Sequence, residues 1–236
     1  MSWVKASRTF TSSSTVAIFF AVTDTSLRKW TGSAGIVTFV LLMAIVPLYF
    51  IYSGPPPRDN VLTRSLIGML SLVPLLAFIV GLQALVRRAC PDEEALSTLV
   101  LALGIVWIAV TFVASAHEAG TVLGQTEPFD PTLVGSGAEG ALVIYGPVGR
   151  ILTAVFLAVA GTGIVRTRML PAWLGRAAIL LGGIQLAFVA TFFSGTAPAQ
   201  FFSINGWHLP VLGGLLSLWI LSASVILIRR PVSVTA

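Results

Sequence analysis

The sequence predicts an all-α fold: a polytopic membrane helical bundle of about six transmembrane helices, with both termini cytoplasmic. Three observations predict it. The chain is 56% hydrophobic and 10% charged, with a mean hydropathy of +0.94, outside the range of a water-soluble domain. Six apolar stretches reach the roughly 20 residues a helix needs to cross a bilayer. The basic residues, finally, fall almost entirely on one side of those stretches.

In chain order, the apolar run Val16–Val22 is too short to span and is closed by Asp24 and Arg28-Lys29. Residues 1–32 therefore read as a cytoplasmic, interfacial segment. The run has no small-residue cleavage pattern and a long preceding region, which argues against a signal peptide. The spans follow at Ser33–Tyr52, Ser65–Val86, Ser97–Ala116, Ala141–Val165, Ala172–Phe193 and Leu209–Ile228. Residues 33–228 form one transmembrane domain, and 229–236 a cytoplasmic tail. Asp92, Glu93 and Glu94 read as the first turn of the third helix, where acids complement the helix dipole. Two outer connections are longer: Glu118–Gly140, broken by Gly and Pro, and Ser194–His208, which mixes Pro198 with Phe201, Phe202, Asn205 and Trp207. Three helices following three permit an inverted repeat, although the two halves carry no sequence match.

Orientation follows from charge. With the N-terminus inside, the cytoplasmic segments hold Lys5, Arg8, Arg28, Lys29, Arg87, Arg88, Arg166, Arg168, Arg176, Arg229 and Arg230, against Arg58 and Arg64 outside. That bias explains the pI near 10.1 as membrane topology, so the expected partner is the lipid bilayer and not nucleic acid. Cys90, the single cysteine, cannot form an intrachain disulfide and reads as an inert residue at a helix boundary.

Arg150 is the exception to the charge pattern. It lies inside the fourth span, four residues after Gly146. An ionisable group at that depth costs roughly 3–17 kcal/mol depending on how it is estimated, so it should face protein or a water-filled cavity. Glu139, Val143, Gly146, Arg150 and Thr153 share one helical stripe. In a continuous helix Glu139 and Arg150 stand ~16 Å apart, too far to pair. Pro147 should kink the helix and free the Val143 carbonyl. Glu118 is the expected partner of Arg150, since both belong to the outer half of the membrane. Trp107, Thr111 and Glu118 share a stripe on the third helix, Gln185, Phe188 and Phe192 on the fifth, and His208 and Trp219 on the sixth. Together these stripes predict an apolar, aromatic pocket with a few polar groups, the usual make-up of a small-molecule site. Packing against helices or lipid is the alternative reading of each aromatic stripe.

No His cluster has metal-ligand spacing, and no acidic pair suits magnesium and diphosphate. No nucleophile elbow occurs. Neither a metal nor a cofactor is therefore expected. The turn Arg166-Thr-Arg-Met-Leu-Pro-Ala-Trp-Leu-Gly175 resembles a signature of uncharacterised six-helix membrane proteins of actinobacteria; it implies the fold of the last three helices and no activity. In size, and in carboxylates around an aromatic intramembrane cavity, the chain is also similar to the small integral-membrane terpene cyclases. That likeness implies acid–base work on an isoprenoid-like substrate and assigns no residues. The expectation is thus an integral-membrane enzyme that acts on a lipophilic, isoprenoid-like substrate by metal-independent acid–base catalysis, through terpene cyclisation or a related isomerisation. Glu118 would act as acid or base, His117 as its relay and Glu139 as a second carboxylate, and Arg150 would hold a substrate oxygen or set the pKa of Glu118. Trp107, Thr111, Gln185, Phe188, Phe192, His208 and Trp219 would line the pocket. The alternative is a small transporter or lipid-binding protein with an Arg–carboxylate polar site.

Overall fold

A computed structural model describes residues 24–52, 54–124, 127–128, 138–195 and 200–229. The run Val16–Val22, the acid Asp130 and most of the 125–137 connection lie outside them. The described residues form six helices long and apolar enough to cross a membrane. Helix α1 (Asp24–Ile45) continues as a 3-10 turn, Val46–Tyr49; α2 is Arg58–Ala89; a short turn Pro91–Glu93 leads into α3, Glu94–Leu123. The fourth span is built in three pieces: α4 (Ala138–Val143), a π-helical stretch (Ile144–Val148) and α5 (Gly149–Thr167). Then come α6 (Ala172–Ala187), continued as a 3-10 stretch Phe188–Phe193, and α7, His208–Arg229.

The fifth span, Ala172–Phe193, has the bounds its hydropathy implies, whereas the first three run longer. Helix α1 begins at Asp24, nine residues before Ser33, so Arg28 and Lys29 lie in its first turns. Helix α2 starts at Arg58, after an extended Pro57, which places Arg64 inside a helix and not in an outer loop. Helix α3 continues to Leu123, so His117 and Glu118 are helical. The physical reason is shared. Hydropathy falls where the chain leaves the hydrocarbon layer, but backbone hydrogen bonding carries the helix on into the interface.

Neighbours in sequence are neighbours in space: α1 packs on α2, α2 on α3, α3 on α5 and α5 on α6, while α7 returns to α1 and touches α6. The core is apolar, with Phe78, Ile79 and Leu82 of α2 facing Phe156, Leu157 and Ala160 of α5, Trp107 of α3 and Ile220 of α7. Between lipid-bathed helices close approach stands in for the hydrophobic effect, and small residues allow it. Gly161 and Gly175 show this best: a Cβ on Gly161 would lie 2.5 Å from the Gly175 carbonyl, and one on Gly175 2.7 Å from the Gly161 carbonyl.

The 166–175 turn is explained by packing. Arg168 takes a left-handed conformation (φ 52°) and ends α5 by donating its N–H to the Ile164 carbonyl. Leu170 is fully buried, Pro171 is extended and starts α6, and the Leu174 carbonyl accepts the Trp219 indole N–H at 3.0 Å. Arg166 pairs with Glu93 at 2.8 Å, and Gly175 makes the α5–α6 contact. The turn is a hairpin lock.

Candidate functional site

The fourth span is where backbone and chemistry meet. Gly146 departs from helical geometry (φ −72°, ψ −107°), with Pro147 next to it, and the Gly149 N–H reaches the carbonyls of Gly146 and Ile144. The kink expected from Pro147 is present, in the form of one π-type turn, a feature often found at functional sites. It sits between two polar side chains of the same span. Tyr145 faces α3, and Arg150 faces the fifth and sixth spans.

On the α3 side a cluster gathers from four elements. Glu118 accepts from Arg64 through Nη2 (3.0 Å) and Nε (3.3 Å), both at Oε1. The two side chains are 3% and 10% exposed, so this is a buried ion pair. The Arg64 guanidinium also lies 4.4 Å from the centre of the Tyr49 ring, a cation–π contact. The Tyr145 hydroxyl is 2.8 Å from Ser115 Oγ and also bonds the Glu118 carboxylate. A carboxylate, a guanidinium and two hydroxyls are thus held together away from water.

Arg150 belongs to a different set. It is 3% exposed. Its Nη1 donates to the Phe188 carbonyl (2.5 Å) and to Thr191 Oγ1 (2.8 Å), and Nη2 meets Nε2 of His208. His208 is fully buried, and its Nδ1 bonds the Phe201 carbonyl. The expected Arg150–Glu118 pair does not form. Glu118 is held by Arg64 from α2, whereas Arg150 turns towards the fifth and sixth spans, where among the described residues no acid lies within ion-pair reach.

The other anticipated residues scatter. His117 and Glu139 are exposed; His117 instead lies over Gly140, where its Nε2 would be 2.8 Å from an added Cβ. Trp107 is buried against Phe156 (5.4 Å between ring centres), and Trp219 is buried with an edge contact to Phe78; these two serve the helix core. The Thr111 hydroxyl bonds back to the Trp107 carbonyl at 2.8 Å, as threonines in membrane helices often do. Gln185 is buried at 5% exposure, whereas Phe192 is 47% exposed on the outer surface. Phe188 stacks on His208 (5.1 Å) and so joins the Arg150 set. Among the described residues no group of three His, Cys, Asp or Glu side chains is placed to hold a metal ion.

Sequence reasoning missed Arg64, Tyr145, Ser115, Tyr49 and Thr191. A signal was available for Tyr145: a phenol at membrane depth beside a Gly-Pro step needs a hydrogen-bond partner. Set against known proteins, the chain matches no family model, no curated protein and no solved structure.

Proposed function

We propose that this chain is an integral-membrane enzyme that isomerises a lipophilic, isoprenoid-like substrate by metal-independent acid–base chemistry at Glu118. The observation that carries the reading is the buried meeting of Glu118, Arg64, Tyr145 and Ser115. Arg64 engages Oε1 as an ion-pair partner, an arrangement that suits a base better than the strong acid that would start a cyclisation by protonating an alkene. Glu118 removes a proton from a carbon next to a carbonyl or similar group. When substrate binds, the Tyr145 hydroxyl, accepting from Ser115, turns its one hydrogen from the Glu118 carboxylate to the oxygen on which charge develops. The proton returns at another carbon: one C–H bond breaks, one forms, and the mass is unchanged. Exposed aromatic and aliphatic side chains around the outer end, Phe192 and Phe193 among them, suit a substrate arriving laterally from lipid.

The test compares lipid-soluble metabolites by mass spectrometry in producing cells expressing wild type, Glu118→Gln or Tyr145→Phe at equal level. The reading expects a compound in wild-type cells to be replaced by an isomer of the same mass in both variants. Identical profiles would sink it. A second reading, a carrier or lipid-binding protein, is favoured by the acid-free surroundings of Arg150; a carrier would expose Gln185→Cys to labelling from both faces of the membrane.

A further inference from the structure

Two arginines are buried among the described residues, Arg64 and Arg150, and they are treated differently. Arg64 has Glu118 beside it. Arg150 has a carbonyl, a hydroxyl and an imidazole, none of which cancels its charge. Of the outer acids among the described residues, Glu118 is engaged by Arg64, and Glu127 and Glu139 are exposed. A buried charge without a counter-charge is expensive.

The donor inventory says what is missing. A guanidinium carries five N–H donors. Nη1 uses its two on the Phe188 carbonyl and Thr191, and Nη2 uses one on His208. His208 can accept there because its Nδ1–H donates to the Phe201 carbonyl, which fixes the neutral tautomer with Nε2 bare. The Nε–H is buried without a partner. Nε and Nη2 border the edge of the guanidinium that can receive a carboxylate or phosphate, and the Nε–H on that edge is an open donor.

Two surroundings agree with that vacancy of charge. His208 is the first residue of the 22-residue α7, so the positive end of the helix dipole lies at the same place. Phe188 stacks on His208 at 5.1 Å and on Phe202 at 5.8 Å. Phe202 is 61% exposed, so a stack of rings runs from the buried charge to the protein surface.

We infer that Arg150, Thr191 and His208 form a binding site for a singly charged oxyanion on an apolar body: the carboxylate of a fatty-acid-like amphiphile or the phosphodiester of a lipid head group. One cation beside a neutral imidazole matches one negative charge and disfavours the dianion of a phosphate monoester. The site uses none of the residues assigned to proton transfer and goes beyond that reading, giving the bundle a head-group anchor whether or not Glu118 is catalytic.

The test uses the full chain in dodecyl maltoside, which contains no phosphate, and follows the carbonyl resonance of 1-13C oleate by NMR. Wild type is expected to give a saturable bound signal. Arg150→Gln should weaken it at least tenfold, and Arg150→Lys, which keeps the charge but loses the fork, by a smaller factor. Glu118→Gln should leave oleate affinity unchanged, so failure here and failure of the proton-transfer reading are distinguishable. Oleyl alcohol, the same body without charge, should not displace oleate. Displacement by dioleoyl phosphatidylglycerol identifies the phosphodiester as a ligand of the site; no displacement assigns it to carboxylates. Equal binding by Arg150→Gln and wild type overturns the inference, as does displacement by oleyl alcohol. If Arg150→Gln does not fold, the wild-type contrast between oleate and oleyl alcohol decides alone.

Discussion

Replacing Arg64 by Met would leave the Glu118 carboxylate in place with its counter-charge gone. With the two side chains 3% and 10% exposed, water cannot easily take over the lost contacts at 3.0 and 3.3 Å. Breaking a buried pair from one side costs about 3–5 kcal/mol. Loss of the stacking on Tyr49 falls partly within that figure and is worth about 0.5–2 kcal/mol by itself. For a chain of this size, a melting point lower by about 6–20 °C follows. The double change Arg64→Met with Glu118→Leu removes both charges and should recover most of the loss, because a well-packed apolar pair is often as stable as the ion pair it replaces. The assay is thermal unfolding of the purified protein in one detergent, read as a four-member double-mutant cycle. If Arg64→Met stays within about 1 kcal/mol of wild type, or the double variant is no better than the single, the pair is not the buried lock described above.

Four further outcomes follow. Gly175→Val should be destabilised by about 1–3 kcal/mol or more, since even its Cβ would lie 2.7 Å from the Gly161 carbonyl; the same melt measures it. Trp219→Phe loses the 3.0 Å indole bond to the Leu174 carbonyl and should cost about 1–2 kcal/mol. Arg166→Ala, whose pair with Glu93 is 59% and 27% exposed, should cost less than about 1 kcal/mol, which separates surface from buried pairs in one experiment. In a Cys90→Ser background, Arg168→Cys should react with a membrane-impermeant thiol reagent only after the cytoplasmic face is opened, and Arg58→Cys in intact cells; the reverse pattern would invert the orientation.

How much of this was legible depends on the scale of the signal. Six spans are written in hydropathy, which is additive along the chain, and Ala172–Phe193 was readable to the residue. The helix beyond the apolar stretch was not, because Arg64, His117 and Glu118 are polar residues in helical backbone at the interface. The Pro147 kink could be read because proline acts locally. Pairing could not: Arg150 meets His208 and Glu118 meets Arg64 through the order of helices around the bundle, which no single stripe encodes. The stripes of Trp107 and Trp219 were real, yet they pack the core, as aromatic stripes in membrane helices usually do.

The central claim is proton transfer at Glu118, and solvent isotope uptake tests it most directly. Purified protein is incubated in heavy water with the lipid extract of the Glu118→Gln strain, and products are followed by mass spectrometry. The account predicts a new isomer formed by wild type and not by Glu118→Gln, carrying deuterium at carbon wherever the proton on Glu118 exchanges with solvent before it returns. An extract left unchanged and unlabelled, or labelled equally by both proteins, would contradict it.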